Sequence, residues 1–151
     1  MLEIIDYRPE HQPWFERLNR GWIEKYFSME PPDYDMLQDP YEHVLKKGGS
    51  IFIAVWDGVV AGTVALKCLP GNVYELTKMA VDENYQGKKI GRALAEAAIG
   101  RAQRSGGGKI ILYSNTILDS AIALYRKLGF REIPVDGPYK RSNIKMELNI
   151  S

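Results

Sequence analysis

Residues 82 to 94, DENYQGKKIGRAL, gather Gly87, Gly91 and the cations Lys88, Lys89 and Arg92 where a strand pattern gives way to a helix pattern. A helix start leaves its first N–H groups unpaired and carries partial positive charge, so an anion there gains directed hydrogen bonds as well as charge. The glycines let the backbone come close to a ligand, and the combination suits a phosphate or pyrophosphate. Two familiar phosphate loops do not fit. A P-loop needs G-x-x-x-x-G-K-[ST], whereas Arg92 and Ala93 follow Gly91, and G-x-G-x-x-G is absent. On the residues alone, a solvated basic helix start stays open as the alternative.

The surrounding pattern predicts what must position this junction. LEIIDY reads as a short strand; Pro9 then suits the first turn of a helix carrying Phe15, Leu18, Trp22 and Tyr26 at helical spacing. The stretch SMEPPDYDMLQDP reads as loop, followed by a short helix near Tyr41 to Lys47. Two β-branched and aromatic runs joined at Asp57-Gly58 predict a hairpin. VYELTKMAV is a further strand whose apolar positions change parity between Leu76 and Met79, which implies either two buried faces or a bulge. Lys89 to Ser105 reads as a helix, KIILYSN as a buried strand, and LDSAIALYRKLGF as a helix with Asp119 as N-cap. FREIPV and NIKMELNI close the chain as strands. The expectation is α/β: a mixed sheet of seven strands with four helices on both faces.

The totals bound the function. At 151 residues, 45% hydrophobic and 26% charged, the chain reads as one packed domain spanning residues 1 to 151. A formal net charge of +1 gives no global field for nucleic acid or an anionic membrane. Cys68 is the single cysteine and fits a buried strand position better than a nucleophile. His11 and His43 make no metal set, so no catalytic metal is expected. With no basic, apolar leader and no membrane-length apolar run, a cytoplasmic protein is expected.

MAVDENYQGKKIGRALAEAAI resembles the acetyl-CoA-binding segment of the GNAT superfamily of N-acyltransferases, whose loop follows [Q/R]-x-x-G-x-[G/A]. AIALYRKLGFREI is similar to that superfamily's second signature, A-x-x-x-Y-x-x-x-G-F, and the predicted element order matches its fold. Two departures stand out: Lys89 occupies a loop position where glycine is usual, and Leu118 a position where many members have Asn. The resemblance implies an N-acetyltransferase of GNAT-like fold. It would transfer acetyl from acetyl-CoA, a cosubstrate, to a small-molecule or peptide primary amine by direct attack in a ternary complex, with room for a homodimer. It further implies that Met79, Ala80 and Val81 line the pantetheine arm, and that Gln86, Gly87, Lys88, Lys89, Ile90, Gly91 and Arg92 hold the pyrophosphate. Asn115 is the nearest amide to the missing Asn.

Transfer to an amine needs a proton acceptor, because an alkyl ammonium with a pKa of about 10.4 has no lone pair at neutral pH. The resemblance assigns that role to Glu75, with a paired sheet carboxylate or ordered water as alternatives. It assigns protonation of the departing thiolate to Tyr125, whose spacing from Ile122 also fits a core aromatic. Glu30, Asp33, Asp35 and Asp39 read as a solvated charged loop rather than an acidic rim for a cationic amine. Tyr139, Arg141 and Asn143 precede the last strand, where the resemblance implies that the acceptor pocket is shaped, and Arg141 suits a substrate carboxylate. A non-catalytic CoA-binding sensor or interaction module is the competing reading, and a longer acyl group or an O-acceptor a third.

Overall fold

The computed structural model describes residues 1–151. Seven strands run in the order β1 (Leu2–Asp6), β2 (Ser50–Trp56), β3 (Val59–Leu69), β4 (Val73–Val81), β5 (Lys109–Ser114), β7 (Ile144–Asn149), β6 (Arg131–Ile133) across one sheet. All neighbours are antiparallel except β4 and β5. Asp57 and Gly58 at the β2–β3 hairpin have φ of 47° and 82°, the left-handed pair that matches strand twist in a tight turn.

Four helices cover the sheet: α1 (Gln12–Tyr26), α2 (Pro31–Gln38), α3 (Ile90–Arg104) and α4 (Asp119–Lys127). In α3 the buried residues Ile90, Leu94, Ala98 and Ala102 recur every fourth position and pack with Leu66, Leu76, Ile110 and Met146. Burying a single Leu94-sized side chain contributes about 2 kcal/mol. On the opposite face, Phe15 and Ile23 of α1 meet Met36 and Leu37 of α2 over Ile51, Ile53 and Ala65.

One expectation is corrected. The segment read as loop holds α2, because Pro31 and Pro32 occupy the first helical turn, where their missing N–H groups have no partner to lose. The helix expected near Tyr41 to Lys47 is one wide π-helical turn, Tyr41–Leu45. The helix of the second signature begins at Asp119 itself, with Leu118 as its cap.

The strand pair that matters most is β4–β5. Its register covers only Val73↔Lys109, Tyr74↔Ile110 and Glu75↔Ile111, after which the two strands part. The parity change anticipated in β4 is a bulge: β3 pairs Thr63 with Ala80 and Ala65 with Thr77, so one residue of β3 faces two of β4. Lys78 in that bulge has a φ of +53°.

Candidate active site

The parting of β4 and β5 opens a cleft of about 1180 Å³. At one end lie Gln86, Gly87, Lys89, Gly91 and Arg92; along its side run Met79, Ala80 and Val81; Tyr125 and Asn115 form the facing wall. Trp22, Tyr139 and Arg141 line the end under α1. The cleft therefore joins the two faces of the sheet.

The loop end has the shape of an anion cradle. Gly87 has φ +79° with no atom within 4 Å of where a Cβ would stand, so the backbone there is unobstructed. Lys89 caps α3 in the left-handed conformation, φ 61° and ψ 25°, without a side-chain hydrogen bond to the first turn. A residue that must be left-handed is the place for glycine, which explains the usual family residue and what Lys89 departs from. The helix-start N–H groups stay available to a ligand. Lys88 is turned away, its Nζ 4.8 Å from the centroid of the Trp56 ring. Ile90 borders the cleft yet is buried, so it offers backbone and anchors the core. The donor set and the open backbone fit a pyrophosphate.

Tyr125 is 8% exposed and borders the cleft from α4, its ring edge-on to Phe130 at 5.8 Å. Burial pushes its phenol pKa well up, so it stays a proton donor throughout the ordinary pH range. Asn115 is already engaged: Nδ2 donates to the Arg141 carbonyl at 2.8 Å, and Oδ1 accepts from the Ile117 N–H at 3.0 Å. It ties the end of β5 to the β6–β7 loop.

Glu75 stands elsewhere than the cleft wall. It is 5% exposed on β4, and burial raises its pKa against the opposing charges of Lys67, Lys78 and Lys145. Tyr139, whose own pKa is raised by burial and by the charge of Glu75, does line the cleft.

The sequence reading missed a buried charge network beside the bulge. Asp33 is fully buried rather than solvated. Arg141 donates to it from both guanidinium ends, at 2.6 and 2.8 Å, and Lys78 Nζ lies 2.9 Å away. Burial alone would raise the Asp33 pKa, but hydrogen bonds from Arg141 and the charge of Lys78 bring it down to about 2. Glu30 accepts from the backbone N–H groups of Lys140 and Arg141 at 2.9 and 3.3 Å. Arg141 is therefore committed to α2 rather than free for a substrate carboxylate. Two signals pointed here: a lysine inside an apolar strand where the parity breaks, and a double proline followed by Asp33.

The model of the acetyltransferase (GNAT) family matches residues 11–130. The chain belongs to that family. It is 36% identical over 101 residues to the N-acetylaspartate synthetase of Xenopus tropicalis, covering 66% of this chain and 37% of that relative. The chain thus spans little more than a third of that curated relative's length. Its fold is that of an acetyltransferase of the GNAT family from Staphylococcus aureus Mu50, with TM-score 0.92, 23% identity and complete coverage of both chains. The PaiA N-acetyltransferase of Thermoplasma acidophilum, solved in complex with coenzyme A, superimposes with TM-score 0.77 at 22% identity over 99% of each chain. No helix is long and apolar enough to cross a membrane.

Proposed function

We propose that the chain is an N-acetyltransferase that moves acetyl from acetyl-CoA to a primary amine within a ternary complex. The carrying observation is the cleft that passes through the sheet at the β4–β5 parting, with the glycine loop at one end and the α1 face at the other. In this reading the pyrophosphate sits on the 86–92 backbone at the start of α3. The free edge of β4 at Met79 to Val81 pairs with the pantetheine arm as an added strand would, and one of its amides meets the thioester oxygen as charge develops.

The amine arrives from the side of Trp22 and Tyr139. Because Glu75 lies one layer behind that wall, it takes up the amine's proton through a bridging water, and its raised pKa brings it closer to the operating pH of a general base. The neutral amine nitrogen then attacks the thioester carbonyl and the C–N bond forms; as the C–S bond breaks, the cationic nitrogen sheds its second proton to solvent, from which Tyr125 recovers the proton it gives up. Tyr125 donates its proton toward the departing sulfur. The N-acetylaspartate synthetase likeness supports an amino-acid-like amine among the acceptors to try first.

The test is thiol release from acetyl-CoA across a library of amines, including amino acids and short peptides, beside calorimetry with acetyl-CoA alone. Amine-dependent release is expected. Tight binding with no release for any amine would sink the enzymatic reading in favour of a CoA-binding module.

A further inference from the structure

Lys78 combines two unfavourable features at one position. It is not glycine, yet it holds a φ of +53°, and its ammonium group is withdrawn from water at 3% exposure. A glycine would take that backbone conformation without steric cost, and apolar side chains of similar size often replace buried ion pairs without loss of stability. Strain of this kind persists where the surroundings over-determine it, and it clusters near functional sites.

The surroundings hold both parts of the residue. Nζ lies 2.9 Å from the Asp33 carboxylate and donates to Tyr139 Oη at 3.2 Å, with the Tyr139 ring centroid 4.8 Å away. Its backbone carbonyl accepts from Thr63 Oγ1 at 3.3 Å, and Asn19 of α1 donates to that same hydroxyl at 3.0 Å. Asp33 in turn grips Arg141, and Tyr139 and Arg141 both border the cleft. An unbroken set of contacts therefore runs from the β4 bulge through α2 to the β6–β7 loop.

We infer that Lys78 is a positioning residue: its anchored side chain keeps β4 in the left-handed bulge that turns the Met79–Val81 edge toward the thioester, and locks that edge to the Tyr139–Arg141 wall of the acceptor end. The two substrates then meet at a geometry fixed by one buried lysine. The inference rests on the reading that the 79–81 edge receives the pantetheine arm. It adds that this edge is set from the acceptor side of the sheet.

The experiment compares Lys78→Met and Lys78→Gly with the unmodified chain, measuring Kd for acetyl-CoA and for CoA by calorimetry and kcat with the best amine. CoA shares the pantetheine arm but has no thioester oxygen, so its affinity should fall less than that of acetyl-CoA, by about twofold, with the phosphate grip in another loop untouched. Acetyl-CoA affinity should fall about fivefold, the worth of one hydrogen bond, and kcat at least about tenfold. Equal weakening of both ligands, or a changed Tm with kcat intact, overturns the proposal. Should both variants fail to fold, Tyr139→Phe removes only the hydroxyl that accepts from Lys78. It should lower kcat about threefold with CoA affinity unchanged, and an unchanged kcat overturns the proposal. The binding arm needs no amine, so failure of the proposed activity and failure of this inference are separately visible.

Discussion

The two faces of the sheet are built on different principles. Under α3 and α4 lies an apolar cluster of 17 buried side chains, and the cleft there runs along the 79–81 edge, the glycine loop and a helix start, faced by Tyr125 and Asn115. Under α1 and α2 the apolar cluster has 8 members, and the rest of the interior is the charge network of Asp33, Lys78 and Arg141, with Glu75 close by. Backbone presents the same groups whatever the side chains, which suits a ligand common to a family. Side-chain networks change with single substitutions, which suits the partner that varies.

The sharpest way to break this contrast is to remove one cation from each face. Arg141→Met should destabilise the fold by about 3 kcal/mol in urea unfolding, because Asp33 stays buried with Lys78 as its single charged partner. Arg92→Met, whose contact with Glu96 is an exposed 3.7 Å pair, should change stability by no more than about 0.5 kcal/mol. Equal effects would erase the distinction. The same network sets an acid limit. Since the folded Asp33 pKa is depressed, its stabilisation is full above the unfolded value near 3.8 and is lost as pH falls toward about 2. Acid titration of the circular dichroism signal should place that loss in this window, and Asp33→Asn should abolish it.

Next in size is the chemistry of the other face. Tyr125→Phe should lower kcat about a hundredfold with acetyl-CoA affinity nearly unchanged, since only a proton donor is lost. A parallel loss of affinity would make Tyr125 a wall residue instead. Glu75 tests the acceptor side by pH. Its raised pKa places the acidic limb of kcat/KM above the ordinary carboxylate value, about 4.3, with activity falling as pH drops through it. Because the folded pKa is raised, ionised Glu75 costs stability at neutral pH, a cost absent below its unfolded pKa. Glu75→Gln should therefore remove the limb, lower activity and raise Tm slightly; a persisting limb would transfer the base role to another group.

The smallest effect is expected at the loop. Lys89→Gly relieves the left-handed conformation but removes a cation, so Kd for acetyl-CoA should rise about threefold at low ionic strength. That difference should vanish at 0.5 M salt as screening takes over. A Kd that instead falls would mark the lysine side chain as an obstruction.

What could be read in advance follows the same division. The turn and helix start at 86–92, the hairpin at Asp57-Gly58, the seven strands and the break in β4 parity were legible because local turn chemistry and apolar periodicity encode them. The charge network was not, since Asp33 and Arg141 lie 108 residues apart and meet only through tertiary packing. Asp33 shows the difficulty best: local polarity said solvent, while a distant guanidinium and a strand lysine decided its burial. Glu75 was singled out by the family resemblance, and its place outside the cleft wall, in a strand that bulges three residues later, was not legible.

The three-pair ladder between β4 and β5 also governs how the molecule assembles and breathes. β2, β3 and β4 are an antiparallel run joined by short turns, so they can pair as soon as they are made. β5 must wait for α3 to fold across before so brief a parallel seam can hold it. The sheet is therefore two cooperative units sharing a narrow weld. Amides of residues 76–81 on the open side of β4 are expected to exchange hydrogen early, and ligand binding to protect them. If the pantetheine arm supplies the missing part of the ladder, the folded state becomes mechanically complete only when it is loaded for work.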